Sequence, residues 1–184
     1  MDQAIAAALS RQNTTNPVRT IRVIGGGTYE VGRDAFGNPL RDGVTLDVPK
    51  NVNLVIDGGS TFRMSRSRIG VGSTTESVDR SNSTIQVLGT PDSEVQFVGL
   101  NAAPGAWGGI DIRGDLDFAN DSKVNLEDAA VFLNHIQYAD IRHGGGEVRV
   151  DGLPRKISAI ELADVRATIL NNQISGSAEA AISA

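Results

Sequence analysis

The chain has 184 residues, of which 21 are glycine, 4% are aromatic and 40% are apolar, and it carries a formal net charge of -5. That acidity gives no electrostatic footing for nucleic acid or an anionic membrane surface, and the absence of cysteine excludes disulfides and thiolate metal sites. No apolar run approaches the roughly 20 residues of a membrane-spanning helix, so no membrane insertion is expected.

In chain order, Asp2 to Gln12 reads as a short helix with Ile5 and Leu9 on one face and Asp2 as its N-cap. It lacks the basic start and long apolar core of a signal peptide. A helix of about ten residues is marginal alone, so it is expected to lie across the open end of a β structure and cover its edges. Asn13 to Pro17 ends it, because Pro17 lacks a donor and turns Asn16 away from the helical region. Residues 1–17 are therefore assigned to a capping helix and linker, and 18–184 to one β domain.

Short strands follow at Thr20 to Ile24, Thr28 to Val31, Val44 to Val48, Val52 to Ile56, Thr61 to Met64 and Ile69 to Val71. Val44-Leu46-Val48 and Val52-Leu54-Ile56 alternate apolar and polar positions, one side chain in and one out. Pro49 to Asn51 and Asp57 to Gly59 supply corners. Arg33 to Asp42, Thr74 to Asn82 and Ala102 to Gly105 read as polar excursions, which is where such a scaffold accepts insertions and carries function. Further along, aliphatic pairs return at Ile112, Ile136, Ile160 and Ile182. Those steps of roughly 22 to 24 residues fall in the range of solenoid repeats. With two or three strands per turn, a chain wound in this way makes an all-β parallel β-helix.

The segments Val52 to Gly59, Arg66 to Ser73, Ile85 to Pro91, Val95 to Phe97 and Trp107 to Ile112 resemble the β-helix region of very large bacterial surface proteins, notably those of planctomycetes, with a pectate-lyase-like superfamily fold. The resemblance covers about Gly27 to Ala184. It implies a right-handed, single-stranded parallel β-helix, an extracellular or cell-surface location, and a chain that is a fragment of a longer one. The apolar strand at Ala180 to Ala184 points the same way, since a solenoid end needs a polar cap. Self-association through this C-terminal edge, or contact with other protein modules, is expected.

Candidate chemistry is sparse. Trp107, flanked by glycines, offers either a flat face for a sugar ring or a large side chain packed over a corner. Asp115, Asp117 and Asp121 form the densest group of acidic oxygens. They are a possible calcium site, although their spacing fails the EF-hand pattern and a solvated loop is the plainer reading. Asp140 and Arg142, two apart on a strand, share its outer face, with His143 at the strand end before a flexible Gly144-Gly145-Gly146 run. Together the three have the groups to bind an acidic sugar or to form an acid/base set; a solvated Asp–Arg pair beside a turn is the plainer reading. His135 is expected to be structural. The carboxylate and basic sets of lyase and hydrolase β-helices are missing, and neither a nucleophile elbow nor a phosphate-binding glycine loop occurs. The expectation is a non-catalytic spacer or adhesion surface, able to form oligomers or filaments. The alternative is a carbohydrate-binding or polysaccharide-degrading β-helix.

Overall fold

β-Branched and aliphatic residues alternate with polar ones in pieces of four or five residues, bounded by Gly, Asn, Asp and Ser. Such pieces are too short to be stable except by pairing with others. In the computed structural model, which describes residues 19–33, 36, 38, 46–73, 76–114 and 133–184, they pair almost wholly in parallel. The first sheet joins β1 (Thr20–Val23), β4 (Asn53–Asp57), β7 (Thr84–Leu88), β10 (Asn134–Gln137) and β15 (Ala167–Leu170). The second joins β2 (Thr28–Val31), β5 (Thr61–Met64), β8 (Val95–Gly99), β11 (Ala139–Arg142) and β16 (Gln173–Ser175). The third joins β3 (Leu46–Asp47), β6 (Ile69–Gly72), β9 (Ile110–Arg113), β14 (Ile160–Ala163) and β17 (Ile182–Ser183). The chain thus visits three parallel sheets in rotation, an arrangement compatible with a β-helix or related solenoid. Among the named strands of the described residues, only β12 (Glu147–Val150) and β13 (Leu153–Lys156) pair antiparallel, as a hairpin inserted between the second and third sheets.

Identical registers repeat from turn to turn, and that repetition builds the core. Val23, Ile56, Val87, Ile136 and Ile169 align in the first sheet. Leu46, Ile69, Ile110, Ile160 and Ile182 align in the third. In the second sheet Tyr29, Phe62 and Phe97 stand in register, with ring centroids 5.3 and 5.0 Å apart; each such stack contributes about 0.5 to 1.5 kcal/mol beyond area burial. The corner from first to second sheet varies in length, the longest being residues 89–94 between β7 and β8. At its narrowest it is a single residue, Tyr138, at φ 46°. One turn later Asn172 holds the same corner, accepting from the Ala139 amide at 2.8 Å and donating to the Ile136 carbonyl at 2.9 Å.

The expected repeat length is correct only where no insertion intervenes: Ile160 and Ile182 are register partners one turn apart, as are Leu46 and Ile69. Ile112, Ile136 and Ile160, although they recur at this spacing, do not stand in one column. Ile136 lies in the first sheet, opposite Val87 and Ile169, while Ile112 pairs with Leu162. The even spacing arose because residues 114–133 and the hairpin insertion lengthen the two intervening arcs. Ile112, Ile136 and Ile160 are nonetheless all buried, and Ile182 is exposed. The helix expected at Asp2 to Gln12 lies outside the described residues; among those described no helix is long and apolar enough to cross a membrane.

Candidate functional site

Trp107 is fully enclosed, at 0% exposure, so of its two readings the packed side chain is the one observed, and no face is open to a sugar ring. It continues the aromatic stack, 6.3 Å from Phe97, and its indole N–H donates to the Arg142 carbonyl at 2.8 Å. A buried tryptophan needs such an acceptor. The glycines around it serve close backbone approach: an added Cβ at Gly146 would sit 2.2 Å from the Gly105 oxygen, and the Gly146 amide donates to the Trp107 carbonyl at 2.9 Å. The Gly144 to Gly146 run is therefore packed backbone, not the flexible segment its composition suggested.

Asp140 and Arg142 do share the outer face of β11. They are consumed by each other: Arg142 Nε donates to Asp140 Oδ1 at 2.9 Å and Nη2 to Oδ2 at 2.5 Å. This bond raises the arginine's pKa further and covers the carboxylate, whose side chain is 5% exposed. His143 does not join them, because its backbone turns to φ 63° and its amide donates to the Ser175 carbonyl. Its Nδ1 is buried and has no hydrogen-bond partner among the described residues. His135 bonds Gln137 at 2.9 Å along its own strand. Asp115, Asp117 and Asp121, the possible calcium ligands, lie outside the described residues; among those described, no cluster of His, Asp or Glu is placed to hold a metal ion.

The densest chemistry is elsewhere, on the outer face of the third sheet. Alternation places Asp47, Gly70, Asp111 and Glu161 there in one register column. Two insertions roof this acidic column: residues 76–82 from the corner after β6, and the β12–β13 hairpin. Ser77 of the first is hydrogen-bonded through its amide to Asp151 of the second at 3.1 Å. Under this roof four arginines meet four carboxylates. Arg68, 2% exposed, binds Asp111 and Glu76. Arg80, 1% exposed, binds Asp47 at 2.5 Å, Glu76 at 2.7 Å and the Gly72 carbonyl at 3.0 Å. Arg113 reaches Asp111 at 3.1 Å and Glu161 at 3.2 Å, and Arg155 of the hairpin reaches Glu161 at 2.7 Å. Glu161 also accepts from the Ser158 amide.

Burial and pairing pull these groups in opposite directions. For Asp111 and Asp47 burial dominates and raises the pKa, against the pull of Arg68 and Arg113 on the first and Arg80 on the second. For Glu76 burial pushes upward too, but the bonds and charges of Arg68 and Arg80 outweigh it and hold the carboxyl below its ordinary value. Burying ions is expensive unless geometry and hydrogen bonds are complete; here each partner meets more than one opposite charge or donor, while Asp111 Oδ1 accepts no hydrogen bond among the described residues. An open cleft of about 180 Å³ adjoins the cluster, lined by Asp47, Glu76, Arg80, Val78, Arg149 and Asp151 among others.

The sequence carries a signal for this site. An acidic residue sits between two core aliphatics in Leu46-Asp47-Val48, Ile110-Asp111-Ile112 and Ile160-Glu161-Leu162. Three such triplets in register make an acidic outer column, and buried arginines must then balance it.

No family model matches the chain, and no curated protein or solved structure matches it.

Proposed function

We propose that this chain is a structural and interaction module: a right-handed parallel β-helix acting as a rigid spacer or adhesion surface within a large secreted or cell-surface bacterial protein. The observation that supports it is the mutual pairing of its outward charges. Four arginines and four carboxylates over the outer face of the third sheet neutralise one another, as do Asp140 and Arg142 on the second. Groups committed in this way stiffen a surface and are poorly placed to exchange protons with a substrate. Association through the last turn belongs to the same reading, since β15, β16 and β17 are each the outer strand of a sheet and carry the exposed Leu170 and Ile182. Sheet edges of this kind recruit other strands. A second reading, a carbohydrate-binding or polysaccharide-degrading β-helix, is favoured by the polar cleft beside Glu76.

Incubation with neutral and acidic polysaccharides, with and without calcium, separates the two when binding and turnover are measured independently. The structural reading expects no release of reducing or unsaturated sugar ends. Reproducible release that is lost on Asp140→Asn or Arg149→Ala overturns it.

A further inference from the structure

The eight charged groups of the cluster are not equivalent. Asp47, Asp111 and Glu161 project from the sheet itself, whereas Glu76 enters from the roof. Its carboxylate is the one on which all four arginines converge: Arg68 binds both of its oxygens, Arg80 donates at 2.7 Å, and Arg113 and Arg155 stand 3.7 and 3.6 Å from Oε1. The arginines do not depend on Glu76 for their positions. Arg68 is also held by Asp111, Arg80 by Asp47 and the Gly72 carbonyl, Arg113 by Asp111 and Glu161, and Arg155 by Glu161.

We propose that these four arginines form a preorganised receptor for a small carboxylate anion, occupied in this conformation by the protein's own Glu76. Without Glu76 the seat would hold four guanidinium groups against three carboxylates, leaving one buried positive charge uncompensated. Such a charge is costly, and the planar forks of arginine match a carboxylate geometrically. The adjoining cleft, lined in part by Ser77, Val78 and Arg149, gives the body of a small acid room beside its carboxylate. The tethered Glu76 carboxylate competes at high effective concentration, so the seat accepts an outside anion readily only when Glu76 is removed.

The test is Glu76→Ala at pH 7, melted in sodium acetate and in sodium chloride at equal ionic strength. Acetate should raise the melting temperature of the variant by about 3 to 5 °C at 100 mM relative to chloride, and leave the parent protein and Glu76→Gln within about 1 °C. Adding Arg155→Ala to Glu76→Ala should abolish the effect. Equal melting temperatures in the two salts, or the same acetate shift in the parent protein, overturn the proposal. If Glu76→Ala does not fold in chloride, recovery of folded protein in acetate supports the receptor, and failure in both salts overturns it.

Discussion

The guanidinium of Arg80 lies over Gly70, in the space a side chain at that position would fill. An added Cβ would stand 2.9 Å from Arg80 Cζ and 2.9 Å from Asp47 Oδ1. Gly70 is the one residue of the outer column without a side chain, and its vacancy lets Arg80 reach both Asp47 and Glu76. Gly70→Ala should therefore displace Arg80 and cost about 1 to 3 kcal/mol, the range for a lost charge-assisted bond. Gly72→Ala should be worse, because φ is +66° and the Cβ would meet the Arg113 carbonyl oxygen at 1.7 Å, backbone that cannot swing aside. Urea unfolding of the two variants checks the order; equal costs would mean that Arg80 is not held by this space.

Ile160→Ala should cost about 2 to 5 kcal/mol, as expected for a buried aliphatic residue in a close-packed core. Ile182, its register partner, is exposed, and Ile182→Ala should cost less than about 1 kcal/mol. Ile136→Ala should match Ile160→Ala, although the two lie in different sheets. A loss at Ile182 as large as that at Ile160 would show that the last turn is covered in solution, as the proposed self-association requires, and sedimentation at rising concentration would then reveal the partner copy.

Trp107 is the single tryptophan, so its fluorescence reports the enclosed end of the aromatic stack alone. Emission should be blue-shifted in the folded protein and unmoved by added glycans. Trp107→Phe removes the donor to the Arg142 carbonyl and should cost about 1 to 3 kcal/mol. Quenching by a sugar without unfolding would contradict the buried position.

Protonation of the cluster sets the acid response. Glu76 is held below its ordinary value of 4.5, so its contribution to stability is complete above that value and is lost as pH falls through the lowered folded-state value. Asp47 and Asp111 are raised above 3.8 and act with the opposite sign: the stability tied to their protonation is present below 3.8 and is lost as pH rises through their raised values. The destabilisation by Glu76→Gln should accordingly be largest near neutral pH and shrink below about 4. Urea midpoints at pH 7 and pH 3 check this. A penalty that grows on acidification would show that Glu76 is not the ionised hub.

Local pattern alone was enough for strands such as Thr28–Val31 and Thr61–Met64, though not for the hairpin strands β12 and β13. Period-two alternation in Val52-Leu54-Ile56 and turn residues at Asp57 to Gly59 specify a short strand and a corner wherever they occur, because pleat and positive φ are local properties. The twenty-two residues from Ile160 to Ile182 form one turn for the same reason, with no insertion between them. The pairing of Asp140 with Arg142 also followed from their spacing on one strand. Trp107 was ambiguous, since glycine neighbours permit both ligand access and close backbone contact.

From the sequence by itself came an all-β chain of short stacked strands with a narrow aliphatic core and no cysteine chemistry. The tertiary structure alone decided which strands are neighbours. Insertions such as 114–133 and the β12–β13 hairpin change the residue count per turn without changing the register, so spacing stops reporting contact. For that reason Ile136 stands in a different sheet from Ile160 despite the regular spacing, and the convergence of Arg68, Arg80, Arg113 and Arg155 on Glu76 was invisible. Arg68 and Asp111 are 43 residues apart, and a salt bridge between them exists only because the turns of the chain place Ile69 beside Ile110.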